Sequence, residues 1–178
     1  DANALNLRGA AYGQIGEYER ALADFNAAIA AKPQYYQAYA NRALIYMRSG
    51  HPERAFADYD QALKIEPRYS AALIGRGNIF RARNNHPAAV GDLSQALEVQ
   101  ADPIAFFHRG LSYQAMGEHA KAVDDFDNAL GFRSEAGAVY QAKGVSELAL
   151  KKYEKAFDDF LQAAKAKPDN FEAWALRG

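Results

Sequence analysis

Residues 41–59 read NRALIYMRSGHPERAFADY, and this stretch decides the fold. Its first part, residues 41–46, places apolar side chains at helical spacing, and residues 55–59 resume that spacing after a break at Gly50. Pro67 then ends the second segment, because proline lacks an N–H group and disfavours helix in the residue before it. The stretch therefore predicts two short helices joined by a turn.

Both segments recur along the chain at a nearly constant interval. Successive copies of the first segment start 34, 34, 33, 34 and 34 residues apart, at residues 7, 41, 75, 108, 142 and 176. The second segment keeps step with it, at residues 21–25, 55–59, 89–93, 122–126 and 156–160. Such a period indicates stacked structural repeats. We therefore treat the chain as one array, with repeats at 2–35, 36–69, 70–102, 103–136 and 137–170 and a truncated sixth repeat at 171–178.

The repeated pattern resembles that of the tetratricopeptide repeat family. Each copy has a small residue and, in most copies, an aromatic residue in its first helix, then a large apolar residue following an alanine in its second. Three copies close with a proline, at Pro33, Pro67 and Pro168. The resemblance implies an all-α fold, a right-handed superhelical solenoid of antiparallel helix pairs. It also implies that the first helices line a concave groove, which in this family commonly binds an extended peptide or a partner helix.

Small and large residues stand at fixed positions, which predicts close helix packing. We expect two helices to approach closely at the glycines of the first helices, Gly9, Gly77, Gly110 and Gly144. We expect buried rings beside them and at the junctions between repeats, at Tyr12, Tyr46, Phe80, Tyr113, Phe25, Phe126 and Phe160. The fifth repeat departs from the pattern because Glu147 replaces the first-helix aromatic. We expect looser packing there, with Leu148 or Leu150 filling the space.

Opposite charges also recur once per repeat. A basic residue precedes the small first-helix residue in every copy, at Arg8, Arg42, Arg76, Arg109, Lys143 and Arg177. An aspartate precedes the second-helix aromatic or leucine, at Asp24, Asp58, Asp92, Asp125 and Asp159. Our hypothesis is a ladder of ion pairs between the second helix of one repeat and the first helix of the next. The alternatives are that the basic residues cap helix C-termini, or that they form an anion-binding stripe.

The candidate partner-binding residues are the first-helix positions that, according to the family resemblance, face the concave groove. They are Asn6, Asn41, Leu44, Met47, Arg48, Ile74, Asn78, Arg81, Phe107, His108, Leu111, Gln114, Gln141, Val145 and Leu148. The N-terminal half of this set is polar with two arginines, whereas Phe107, Leu111, Val145 and Leu148 predict an apolar strip. An amphipathic helix would fit such a strip. The alternative is that a tight superhelix buries these side chains against one another.

Composition and motifs argue against several other functions. The formal net charge of -1 and the pI of about 6.5 give no electrostatic footprint for nucleic acid or an anionic membrane, and no apolar run is long enough to span a bilayer. The chain has no cysteine, and its histidines do not have the spacing of metal ligands. The sequence also contains no glycine-rich phosphate-binding loop. We therefore expect neither catalysis nor a metal ion or other cofactor. The high alanine content favours helices and is typical of a GC-rich bacterial genome.

Three functions remain open on the sequence alone. The first is an adaptor that binds a peptide or helix of a partner protein. The second is a structural element that self-associates through the second helix of the fifth repeat, because only the truncated sixth repeat follows Phe157, Phe160 and Leu161. The third is a regulatory arm of a larger multidomain protein. The clamp with which some members of the family bind acidic C-terminal tails is not expected, because the third repeat has Ala71 and Gly75 where it needs basic residues.

Overall fold

The computed structural model describes residues 1–132 and 136–166. All regular secondary structure in these two ranges is α-helical and forms ten helices. They are α1 (Ala2–Gln14), α2 (Tyr18–Ala31), α3 (Tyr36–Arg48), α4 (Pro52–Ile65), α5 (Ser70–Ala82), α6 (His86–Val99), α7 (Pro103–Ala115), α8 (His119–Phe132), α9 (Gly137–Ala149) and α10 (Tyr153–Lys165). The sixth repeat expected at 171–178, with Arg177, lies outside the described residues, as does Pro168.

The helices are too short to be stable alone, which explains why they pair. Each has 13 or 14 residues, about 20 Å at 1.5 Å per residue, and an isolated helix of that length is marginal in water. The turns within the pairs share one conformation. Gly16, Gly50 and Gly117 have φ values of 82°, 79° and 78°, and Asn84 and Lys151 take the equivalent position with φ of 57° and 60°. Glycine adopts this left-handed conformation without steric cost, whereas the lysine is strained.

The structure divides into two compact units, and the first comprises Asp1–Ile79. Within it, α1 packs against α2 and α3 against α4, and α2 also contacts α3. Phe25 forms one centre of the core together with Ala21 and Ile45. A Cβ atom at Gly9 would lie 2.9 Å from the Phe25 ring, so the absence of a side chain at this position lets α1 approach α2.

The second unit contains α6 to α10 and begins within α5. Here α7 packs against α8 and α9 against α10, and α8 also contacts α9. The core cluster includes the fully buried Phe126, whose ring centroid lies 6.0 Å from that of Phe107. A Cβ atom at Gly110 would lie 2.7 Å from the Phe126 ring. The pairing of a first-helix glycine with a second-helix ring is thus repeated in both units.

The fifth repeat packs differently from the sequence-based expectation. Glu147 is only 2% exposed, so the position that is aromatic in the other copies holds a buried acid. Leu148 does not fill the space, because it points largely to solvent. Phe160 was expected to be buried at the junction to the next repeat, but it lies against Gly144 of its own repeat and is partly exposed. Tyr113 of the preceding repeat is also only partly buried. The interior of this repeat therefore holds a carboxyl group where the other copies have an aromatic ring.

Candidate partner-binding face of the first helices

In the first unit, the candidate residues either form hydrogen bonds with other residues of the chain or are partly buried. The Asn41 side-chain amide donates to Asn6 Oδ1 at 2.9 Å, which links α3 to α1. Arg48 donates to the Gly13 carbonyl oxygen at 3.3 Å. Partial burial is shared by the other candidates in this unit, Leu44, Met47, Ile74 and Asn78. Asn6, Asn41 and Arg48 therefore have partners within the chain, whereas Oδ1 of Asn78 has none among the described residues.

In the second unit, the apolar strip lies only partly on the surface. Phe107 is buried in the core cluster, and Leu111 packs against that cluster. Val145 and Leu148, one helical turn apart on α9, are 45% and 49% exposed, and Gln141 is exposed one turn before them. The exposed part of the strip is therefore the pair Val145 and Leu148, with the partly buried Leu111 at the equivalent position of α7.

Gln114 links the two first helices α7 and α9. Its side-chain nitrogen donates to the Ala142 carbonyl oxygen and to the Ser146 hydroxyl, each at 2.8 Å. Arg81, Gln114 and Leu148 occupy the same position in successive copies of the repeat. We refer to these three as the Arg81 series. The contacts of Gln114 show that a side chain in this series can reach across to the following first helix.

The recurring charges form ion pairs within repeats. The Arg42 guanidinium donates two hydrogen bonds of 2.7 Å to Asp58, and both residues belong to the second repeat. The same two-bond geometry joins Arg8 to Asp24 and Arg109 to Asp125. Our expectation that these aspartates pair with the next repeat is therefore wrong. The turn after each first helix folds the chain back, and this brings residues 16 positions apart opposite each other.

Several basic residues also reach the second helix of the preceding repeat, as the ladder hypothesis expected, but their acceptors there are not the recurring aspartates. The contacts are Arg42–Asn26, Arg76–Asp60, Arg109–Ser94 and Lys143–Asp127, at 2.6, 3.0, 3.0 and 2.8 Å. The acceptors all stand two positions after the recurring aspartate, but their residue types differ, so no repeated letter marks them in the sequence. In the fifth repeat this position holds Leu161. These contacts favour a structural role for the basic residues over an anion-binding stripe.

Arg81 differs from these residues, because its guanidinium forms no hydrogen bond or ion pair within residues 1–132 and 136–166. Its Nε atom is buried, and burial lowers the pKa of Arg81. That direction is expected when a cation leaves water without an anion beside it. The neighbouring His108 is 8% exposed, and burial, with a smaller effect of the Arg81 charge, lowers its pKa to about 3. Its imidazole is therefore neutral near pH 7, and Nδ1 has no hydrogen-bond partner among the described residues.

Glu147 places a carboxyl group inside the fifth repeat beside Asp159. Burial raises the pKa of Glu147, and its interactions with the Asp159 carboxyl raise it further. Lys143 lies 3.6 Å from Asp159 and 2.8 Å from Asp127, and its charge only partly opposes this effect. Oε2 of Glu147 and Oδ2 of Asp159 lack hydrogen-bond partners among the described residues. A proton on Glu147 would let it donate to Asp159, so protonation is favoured by the fold.

The raised pKa of Glu147 predicts that stability depends on pH. The protonated side chain stabilises the fold at low pH, and this contribution is lost as the pH rises through the folded-state pKa. We expect the free energy of unfolding of the wild type, relative to Glu147→Gln, to fall as the pH rises above the ordinary pKa of a glutamate, because the amide of the variant can donate at every pH. Urea titrations at several pH values measure the difference. Glu154→Gln, the same change at an exposed site of α10, is the control, and parallel profiles for wild type and Glu147→Gln would contradict the assignment.

The described side chains do not assemble a metal site. Within residues 1–132 and 136–166, no three histidine, aspartate or glutamate side chains are placed to share an ion. His51, His86 and His119 stand at the starts of α4, α6 and α8, in separate turns. Among the described helices, none combines the length and the apolar character needed to cross a lipid bilayer.

The helix pairs and their repeated contacts define the class of this protein, an all-α helical-repeat protein. Family models for the tetratricopeptide repeat match residues 2–35, 36–69 and 107–177, and the chain belongs to the tetratricopeptide repeat family. Members of this family are typically non-catalytic modules for protein–protein interaction. No curated protein sequence shows significant similarity to the chain.

Solved structures share the fold at low sequence identity. A crystal structure of MamA has a TM-score of 0.78 and 20% identity, covering 89% of this chain and 93% of that one. A structure from the functional characterization of Pseudomonas aeruginosa pilF has a TM-score of 0.84 and 21% identity, covering 98% and 80%. A MamA RS-1 double mutant gives 0.81 and 17%, covering 93% of each chain. The all-α solenoid fold expected from the repeats is thereby confirmed, and identities this low support the fold alone.

Proposed function

We propose that the chain is an adaptor that binds a peptide or helix of a partner protein on the first helices of the second unit. The observation that carries this proposal is the exposed pair Val145 and Leu148 on α9, with Leu111 at the equivalent position of α7. Large apolar side chains one helical turn apart suit the spaced anchors of an amphipathic helix. Membership of a family of protein-interaction modules supports the same function.

The apolar pair alone supplies only part of the affinity that an adaptor needs. Complete burial of a leucine or valine side chain stabilises a complex by about 1.5–3 kcal/mol. Because Val145 and Leu148 are each about half exposed, covering them contributes about 1 kcal/mol apiece. Association also costs translational and rotational freedom, so further contacts must add to this term.

Leu148→Asp is expected to weaken peptide binding by about tenfold or more, because a carboxylate would have to leave water against an apolar anchor. The measurement uses peptides selected on the wild-type chain from a random helical display library, with dissociation constants from fluorescence anisotropy. Leu161→Asp is the matched control, since it introduces the same charge at an exposed leucine of α10. Equal losses in both variants, or a loss in Leu161→Asp alone, would remove the first helices from the proposal.

A second candidate function is self-association through α10. Large side chains on this helix are exposed, namely Tyr153, Phe157, Phe160 and Leu161. An exposed apolar surface of this kind is typical of an interface. Light scattering over a range of concentrations tests this candidate, and a mass that stays at one chain throughout would count against it. Leu161→Asp separates the two functions, because it alters the face of α10 and leaves α9 unchanged.

A further inference from the structure

Arg81 is a partly buried cation without a counter-ion in the described part of the chain. By contrast, Arg42, Arg109 and Lys143 each contact an aspartate, and Arg48 donates to a backbone carbonyl. The following first helices of its unit offer Arg81 no such partner. Helix α7 has no aspartate or glutamate, and the only acid of α9 is Glu147, which is buried beside Asp159. A desolvated guanidinium without an anion is an incomplete ion pair.

The side chain of His108 is a second, independent observation that a polar partner is missing beside Arg81. The side chain is more than nine-tenths buried, yet Nδ1 has no hydrogen-bond partner within residues 1–132 and 136–166. Buried ring nitrogens are normally paired with protein or water. The neutral imidazole adds no second positive charge beside Arg81, so an anion there would meet one cation and one neutral ring.

The Arg81 series places three side chains in a row on successive first helices, α5, α7 and α9. Gln114, the middle member, reaches from α7 to α9. By the same register Arg81 reaches from α5 towards α7, where its charge acts on His108. Leu148, the last member, is exposed on α9 beside Val145. The series therefore runs from a cation, through an amide, to an apolar side chain, all within the second unit.

We propose that Arg81 anchors a carboxylate of the bound partner, so that the segment this face recognises carries an aspartate or glutamate on the same side as its apolar anchors. The inference rests on the proposed function and names the chemistry of the partner. Arginine suits this role because its planar guanidinium can bind both oxygens of a carboxylate. The charge supplies a specific contact that the apolar pair Val145 and Leu148 lacks.

Selection from a display library tests the inference without a known partner. Random helical peptides of about 16 residues, roughly 24 Å long, are selected in parallel on the wild-type chain and on Arg81→Met. Methionine is a suitable replacement because Met47 occupies the equivalent position of the second repeat. We expect wild-type selections to be enriched in peptides with an acid near apolar residues, and Arg81→Met selections to keep the apolar residues and lose the acid.

Twin peptides then measure the contribution of the carboxylate. The best wild-type peptide is compared with a twin in which the acid is replaced by its amide. On the wild-type chain, the twin is expected to bind about tenfold more weakly than the acidic peptide. On Arg81→Met, the two peptides are expected to bind with affinities within about twofold of each other. Arg68→Met, which removes the same charge from an exposed position, is expected to keep the tenfold difference. Binding of the acidic peptide should also raise the pKa of His108 in a titration followed by NMR, because the carboxylate offsets the charge of Arg81.

The outcomes separate this inference from the proposed function. Peptides that bind the wild type, lose binding to Leu148→Asp and show no preference for an acid would overturn the role of Arg81 and leave the adaptor function standing. An acid preference that persists on Arg81→Met would also overturn it. Failure to select any peptide above the Leu148→Asp background would count against both.

Discussion

Phe126→Ala is expected to lower the free energy of unfolding by about 3–5 kcal/mol, the range for truncating a buried aromatic residue. The ring is fully buried, packs 6.0 Å from the Phe107 ring between centroids, and occupies the space that Gly110 leaves open. Truncation to alanine would remove the apolar contacts and leave a cavity that the two helices cannot close without moving. Urea titration followed by circular dichroism measures the change.

Phe157→Ala is the matched control for this prediction. It makes the same chemical change on α10, where the ring is 67% exposed, and we expect a cost of about 1 kcal/mol or less. Phe126→Leu keeps most of the volume and should cost less than about 1.5 kcal/mol. Similar losses for Phe126→Ala and Phe157→Ala would show that the ring of Phe126 is not a core element.

Asp125→Ala is expected to cost about 2–4 kcal/mol, because it leaves the Arg109 guanidinium partly buried without its anion. Arg109 donates to both carboxylate oxygens of Asp125, at 2.8 and 2.7 Å, and its other contacts, with Ser94 and with the Phe106 and Tyr113 rings, supply no anion. Thermal and urea unfolding of the variant and the wild type provide the measurement. Adding Arg109→Met to Asp125→Ala should recover part of the loss, since the unpaired cation is then removed.

Asp24→Ala tests whether solvation of the cation sets the size of this effect. Its partner Arg8 has the same two-bond geometry, but the Arg8 side chain is 62% exposed and can be hydrated when the aspartate is removed. We therefore expect Asp24→Ala to cost clearly less than Asp125→Ala. A larger loss for Asp24→Ala would contradict the argument from burial.

The period of the sequence was sufficient to predict the fold, because the helix-forming segments are marked by residue types that recur. Gly9 and Gly110 were expected at close helix contacts, and each lies against a phenylalanine ring. The partners of the aspartates were not predictable in the same way. A recurring charge shows that a pair exists once per repeat, but the choice of partner depends on how the turn places Arg42 opposite Asp58.

The candidate site was predicted less completely than the fold. Helical register placed Phe107 and Val145 on the same face, yet the first is buried and the second exposed, because burial depends on the neighbouring helices. Arg81 was among the candidate residues, but its lack of an acidic partner is visible only once the side chains around it are known. Glu147 was recognised as a departure from the pattern, whereas its burial with Asp159 depends on the packing of α9 against α10.

A cation that contacts both flanking helices couples the local unfolding of neighbouring helix pairs. Arg109 holds α7 to both α6 and α8, and Lys143 holds α9 to both α8 and α10. When a pair opens locally, the cation loses its anchor on that side and the adjoining pair is weakened at the same moment. Repeat arrays lose cooperativity when their nearest-neighbour coupling is weak. Shared cations of this kind therefore favour concerted melting over the loss of one repeat at a time.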